Sequence, residues 1–178
     1  MINFSALTQE MKSVIRDVPD FPKPGIMFKD ITPVLQQPKL LSEVAYFFVH
    51  QNLGLNATKV VSIESRGFIF GSILANDLHA GFVPVRKKGK LPADVISVSY
   101  DLEYGQSILE IHKDAIKPGD LVIIHDDVLA TGGTVEATIK LVEQLGGKVV
   151  SICFLIELSF LNGRDRLKDY PVESLVIY

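Results

Sequence analysis

The chain has 178 residues, with 18 Lys and Arg against 21 Asp and Glu, and a formal net charge of −3. That length, with 47% hydrophobic and 22% charged residues, specifies one ordinary packed core and excludes intrinsic disorder. The mild acidity disfavours a general nucleic-acid binder, which needs a basic footprint. One cysteine, Cys153, excludes an internal disulfide and a cysteine-rich zinc site, and its apolar run VVSICFLI predicts a small buried hydrophobe.

Leu7, Met11, Val14, Ile15 and Val18 recur at helical spacing and predict a helix over 5–18. No basic stretch followed by an apolar segment opens the chain, and no apolar run approaches the roughly 18 residues that span a bilayer. The expectation is a cytoplasmic protein. The next stretch, DFPKPGIMFKDITP, has prolines at 22, 24 and 33, which forbid a regular helix there and disfavour a central strand. Its apolar side chains need something to cover. A second helix is predicted near 38–52, with Leu41, Val44, Ala45 and Phe48 on one face.

From there the pattern alternates. Apolar, β-branched runs predict strands at 59–63, 81–85, 95–100, 107–112, 121–125, 148–158 and 174–178, with helices at 68–78 and 134–145. Near-continuous apolar strands alternating with helices imply a parallel sheet covered on both faces. Neither a domain linker nor an internal repeat interrupts the pattern.

The stretch LVIIHDDVLATGGT (121–134) runs from an apolar strand through two aspartates and a small-residue loop into a helix. Open α/β sheets bind ligands at the carboxyl ends of their strands. Thr131, Gly132, Gly133 and Thr134 stand where unpaired N–H groups and the helix dipole favour a phosphate. The spacing fits neither a Walker A loop nor G-x-G-x-x-G. Asp126 and Asp127 can accept hydrogen bonds from sugar hydroxyls, and their charge suits a cationic sugar in a transition state. Locally, the same residues also fit a plain strand-to-helix turn. His125 reads as a strand-end residue rather than a catalyst.

Other segments carry chemistry with equally open local readings. Arg66, in ESRG, presents a planar fork of donors that matches phosphate oxygens, or is a surface arginine. Arg86, Lys87, Lys88, Gly89 and Lys90 concentrate positive charge in an acidic chain, which suits an anion or a solvated turn. The link LEYG (102–105) can act as a lid and contains one carboxylate, Glu103, or is merely exposed. Phe28 offers a ring on which a flat base can stack, or is core.

The 121–134 stretch resembles the phosphoribosyl-pyrophosphate motif of the type I phosphoribosyltransferases. FPKPGIMFKDITP (21–33), ESRGFIFG (64–71), VRKKGKLP (85–92) and LEYG (102–105) narrow the resemblance to the adenine-specific branch, in order and spacing, from about residue 18 to the end of the chain. The resemblance implies a single α/β domain over 1–178, a parallel twisted sheet flanked by helices. A small N-terminal hood (about 1–35) and a flexible lid hairpin (about 95–112) complete it.

It implies transfer of phosphoribosyl from 5-phosphoribosyl 1-pyrophosphate to adenine, giving AMP and pyrophosphate in purine salvage. Asp126 and Asp127 would take the ribose. Ala130, Thr131, Gly132, Gly133 and Thr134 would take the 5-phosphate, and Arg66, Arg86, Lys87, Lys90 and Tyr104 the pyrophosphate. Glu103 would be the general acid/base. The Phe28 ring would stack on adenine, while the backbones of Met27 and Lys29 read its edge. Mg²⁺ would be held mainly through substrate and water, without a metal cluster of the protein's own. A homodimer, with neither nucleic acid nor membrane as partner, completes the expectation. Two alternatives are a non-catalytic sensor of phosphoribosyl pyrophosphate and a transferase for a 6-oxopurine such as xanthine or hypoxanthine. The short N-terminal extension and the net charge disfavour the first, and the 21–33 segment disfavours the second.

Overall fold

The structure is a computed structural model that describes residues 2–101 and 106–178. It divides into two compact units, Met1–His50 and Gln51–Tyr178.

In the first unit, helix α1 (Phe4–Val14) opens at Asn3, whose Oδ1 accepts the Ala6 N–H at 3.2 Å. This satisfies a first-turn donor that has no partner within the helix. Leu7 and Met11, four residues apart, form its buried stripe. The helix does not reach residue 18 as its spacing predicts. Ile15 leaves it, and Arg16–Val18 form a short strand, β1, antiparallel to β2 (Phe28–Asp30). Val18 precedes Pro19, and the proline ring disfavours helical backbone in the residue before it.

Between β1 and β2 the proline-rich chain turns back on itself, tied where Asp20 Oδ1 accepts the Gly25 N–H at 2.7 Å. A short helix, α2 (Thr32–Leu35), follows with Pro33 in its first turn, where the missing N–H costs nothing. Helix α3 (Pro38–Asn52) then occupies the expected range.

The second unit is built on a seven-stranded sheet among the described residues. Its strands are β3 (Lys59–Ile63), β4 (Gly81–Lys87), β5 (Val95–Asp101), β6 (Gln106–His112), β7 (Leu121–Leu129), β8 (Lys148–Glu157) and β9 (Val172–Ile177). Their order is β5-β6-β4-β3-β7-β8-β9. The β4/β3/β7/β8/β9 run is parallel, while β6 pairs antiparallel with both β4 and β5. The sheet is thus mostly rather than wholly parallel. The β5–β6 hairpin replaces a crossover at one edge, and a hairpin cannot be parallel.

Helices α4 (Gly67–Asp77) and α5 (Gly133–Gln144) cover opposite faces. Val61, Ile63, Val83, Val85, Val122 and Ile124 share one core cluster with Val135, Ile139 and Val142 of α5. Ser62, which alternation sends to the other face, lies directly under Gly71 of α4.

Two strands run further than expected. β7 continues past His125 through Asp126 and Asp127 to Leu129, because β8 is long enough to keep pairing with it, Asp126 opposite Phe154 and Leu129 opposite Glu157. The aspartates are therefore strand residues rather than the start of a loop, and His125 is a mid-strand residue. β4 likewise carries Arg86 and Lys87, opposite Glu110 and Leu109 of β6. Glu103 and Tyr104, in the expected lid, lie outside the described residues. Among the described residues no helix is long and apolar enough to cross a membrane.

Candidate active site

The carboxyl ends of β4, β3 and β7 lie side by side. From β3 the chain passes through α4 to β4, and from β7 through α5 to β8, in opposite directions along the sheet and on opposite faces. The gap between β3 and β7 is a topological switch point, where open α/β sheets form ligand crevices. Three of the segments singled out from sequence, 64–66, 86–90 and 126–134, meet at this end of the sheet.

At the end of β7, Ala130, Thr131 and Gly132 lead into α5. Gly132 caps the helix at φ +81°, ψ −8°, a left-handed conformation that glycine adopts without strain. No side chain caps α5. Its first amides therefore remain available to an anion, with the positive end of the helix dipole behind them.

The two aspartates differ in environment. Asp127 is buried and bonded through Oδ2 to Nε of Arg66, whose side chain stays 43% exposed. Asp126 is buried, and its Oδ1 accepts the Asp127 N–H at 2.8 Å. Burial, reinforced by the negative charge of Asp127, holds the Asp126 carboxyl well above the usual aspartate range. One acid is thus paired with a guanidinium, while its neighbour holds its proton more tightly than an ordinary aspartate.

The basic cluster is organised by carboxylates that sequence reading passed over. Glu64 Oε2 accepts from Arg86 Nε at 3.0 Å and from the Lys87 N–H at 3.1 Å. Arg86 Nη1 donates to the Lys90 carbonyl at 2.9 Å, closing the turn. Glu110 of β6, itself buried, accepts the Gly89 N–H at 2.8 Å. A signal for Glu110 was present in the sequence: it is the one charged residue in the apolar strand run SILEI. Glu64 stands immediately after a strand, but nothing in its local pattern distinguishes it.

In the N-terminal unit, the Phe28 ring meets Phe21 edge-on at 5.1 Å, Lys29 Nζ pairs with Asp17 Oδ1 at 2.6 Å, and Met27 is about half exposed. On β7, His125 is fully buried, with Nδ1 3.4 Å from Cys153 Sγ. Burial lowers its imidazole to about 4, so it is neutral at physiological pH, and raises the Cys153 thiol well above its ordinary value. Among the described residues no group of three or more His, Cys, Asp and Glu side chains converges as a metal set.

An uncapped helix N-terminus beside paired carboxylates, at the same end of the sheet as a carboxylate-held basic turn, has the chemistry to receive anions and sugar hydroxyls. The family description "Phosphoribosyl transferase domain" matches residues 31–176. An adenine phosphoribosyltransferase of Carboxydothermus hydrogenoformans is 57% identical over 169 residues, covering 95% of this chain and 99% of that protein. The crystal structure of adenine phosphoribosyltransferase from Rhodothermus marinus superposes with a TM-score of 0.94 at 56% identity, covering 98% of this chain and 99% of that one. The Saccharomyces cerevisiae enzyme, solved with an imino-sugar bisphosphate and adenine, gives a TM-score of 0.90 at 42% identity, over 96% and 99% of the two chains. The chain belongs to the phosphoribosyltransferase family, on its adenine phosphoribosyltransferase branch.

Proposed function

We infer that this chain transfers the 5-phosphoribosyl group of phosphoribosyl pyrophosphate to adenine, releasing AMP and pyrophosphate. The reading is carried by the end of β7, where two carboxylates, one held by Arg66, run directly into the glycine-opened N-terminus of α5. Ala130, Thr131, Gly132, Gly133 and Thr134 hold the 5-phosphate through backbone N–H groups and hydroxyls. Asp126 and Asp127 orient the ribose, and the charge of Asp127 favours the positive character that builds at the anomeric carbon as the C–O bond to pyrophosphate breaks. Arg66, Arg86, Lys87 and Lys90 stabilise the leaving pyrophosphate, with Tyr104 beside it. The Phe28 ring stacks on adenine, the backbones of Met27 and Lys29 read its edge, and Glu103 manages the proton of the attacking base.

The donor set fits a divalent ion held mostly from outside the protein. It offers two adjacent aspartates, one of them bonded to Arg66, and hard cations such as Mg²⁺ keep several waters. Mg²⁺, held mainly through substrate and water, would neutralise the charge of the diphosphate. We further propose a homodimer and a place in the reducing cytoplasm, where a buried, unbridged Cys153 is stable.

Purified protein incubated with phosphoribosyl pyrophosphate, Mg²⁺ and single purines tests the reading. AMP and pyrophosphate are expected from adenine, and little product from hypoxanthine or xanthine. No AMP from adenine sinks the enzyme reading, and comparable use of hypoxanthine reassigns the base. Glu103→Ala is expected to lower turnover while leaving donor binding largely intact.

A further inference from the structure

The segment Ala130–Thr134, which runs from the end of β7 into the first turn of α5, has small side chains, and no side chain caps the helix. Packed against it is the 3₁₀ turn Gly163–Leu167, downstream of β8. The two backbones touch. A methyl group at Gly163 would come 2.1 Å from the Ala130 carbonyl oxygen and 3.0 Å from the Gly132 nitrogen. A methyl group at Gly132 would come 2.6 Å from the Gly163 carbonyl oxygen. No residue but glycine fits at 163 unless the loop moves.

The turn is in turn fastened to three different elements. Arg164 grips both oxygens of Glu157, the last residue of β8, with Nε at 3.0 Å and Nη2 at 2.5 Å. Its Nη1 donates to the Val172 carbonyl, at the start of β9, at 3.0 Å. Ser174 of β9 donates to the same carboxylate at 2.7 Å. Arg166 Nη1 reaches Glu136 Oε2, in the first turn of α5, at 2.8 Å. Leu167 is buried in the core cluster. A planar two-pronged arginine–carboxylate pair fixes orientation as well as distance, which a lysine cannot do.

We propose that Gly163 and Arg164 are positioning residues for the phosphoribosyl donor: the Gly163–Leu167 turn, held by the Arg164–Glu157 pair, sets the curvature of the loop that receives the 5-phosphate. This rests on the assignment of Ala130–Thr134 to that phosphate. The turn touches no reacting atom and acts only through the placement of the loop amides. A loop amide displaced from a charged phosphate loses a hydrogen bond worth roughly tenfold or more in affinity, so small shifts here are legible in affinity.

Calorimetric titration with ribose 5-phosphate, and separately with Mg²⁺-pyrophosphate, tests the proposal without requiring turnover. Gly163→Ala is expected to weaken ribose 5-phosphate by roughly tenfold or more while pyrophosphate stays within about twofold. Arg164→Lys, which keeps the charge and loses the fork, is expected to show the same selectivity at about three- to tenfold. It decides the matter alone if Gly163→Ala does not fold. Parallel weakening of both ligands, or unchanged ribose 5-phosphate affinity, overturns the proposal. Wild-type protein that binds ribose 5-phosphate but makes no AMP defeats the proposed activity while leaving the buttress to be judged by the variants. Wild-type protein that fails to bind ribose 5-phosphate defeats the loop assignment and the buttress together.

Discussion

Gly71→Ala should strain the contact between α4 and β3, and the strain should be reversible at one partner residue. A methyl group at position 71 would come 1.8 Å from Ser62 Oγ and 2.8 Å from Ser62 Cβ. The hydroxyl can rotate away, but the Cβ cannot, so helix and strand must separate. Overpacking of this kind costs about 1–3 kcal/mol, and at this chain length each kcal/mol lowers Tm by about 2–4 °C. Gly71→Ala should therefore lose roughly 2–12 °C. Ser62→Gly alone should cost about 0.5–1 kcal/mol in backbone entropy. In combination, it removes both clashing atoms and leaves His125 Cδ2 at 3.5 Å, an ordinary contact. The double variant should then be more stable than Gly71→Ala alone, with a coupling of about 1 kcal/mol or more. Ser62→Ala should rescue only part, since the Cβ remains. Urea and thermal melts of the four proteins measure the cycle. Additive losses, with no rescue by Ser62→Gly, would refute the close-contact account. Because α4 begins directly after Arg66, kcat/KM should fall in Gly71→Ala and recover in the double variant.

Two further expectations concern buried titratable groups. Asp126 has a folded-state pKa raised by burial and by the charge of Asp127. Its contribution to stability is full below the unfolded aspartate value near 3.9 and declines as pH rises through the folded value. Asp126→Asn keeps the oxygen that accepts the Asp127 N–H and removes the titration. Its urea midpoint should gain on wild type as pH rises from acid to neutral, with catalytic efficiency reduced; a pH-independent difference would contradict this. For His125, burial lowers the imidazole to about 4. Its contribution to stability is present above the unfolded value of about 6.5 and is lost as pH falls toward the folded value. Ring C–H resonances should accordingly stay in the neutral position at pH 6, and titration of this ring near 6.5 would show that it is not sealed from solvent.

Much of the fold was legible because the strands of the second unit are short, apolar and bounded by glycine, proline or charge, so their period and length declare them. The strand–loop–helix order of 121–134 was equally legible, because small, glycine-bearing residues stand there between an apolar strand and a helical stripe. What escaped is non-local. The extension of β7 through Asp126 and Asp127 goes with the length of β8, whose Phe154 pairs with Asp126 from 28 residues further on (154 − 126), and not with the aspartates themselves. Val18 matched a helical stripe, but Pro19 and pairing with Phe28 drew it into β1. Glu64, Glu110 and Arg164 act by holding other residues, and their partners lie 22, 21 and 7 positions away along the chain. No local pattern encodes such pairs.

The division of the chain after His50 bears on how such an enzyme can diversify. The residues proposed to read the base, Met27 to Lys29, belong to the first fifty positions, whereas those proposed for the donor and its leaving group belong to the rest. Mutations that retune the acceptor need not change the residues proposed to handle the sugar phosphate and its leaving group. A lineage can therefore vary the residues proposed to read the base within one stretch of chain while inheriting those proposed for the donor, and Glu103, in the other.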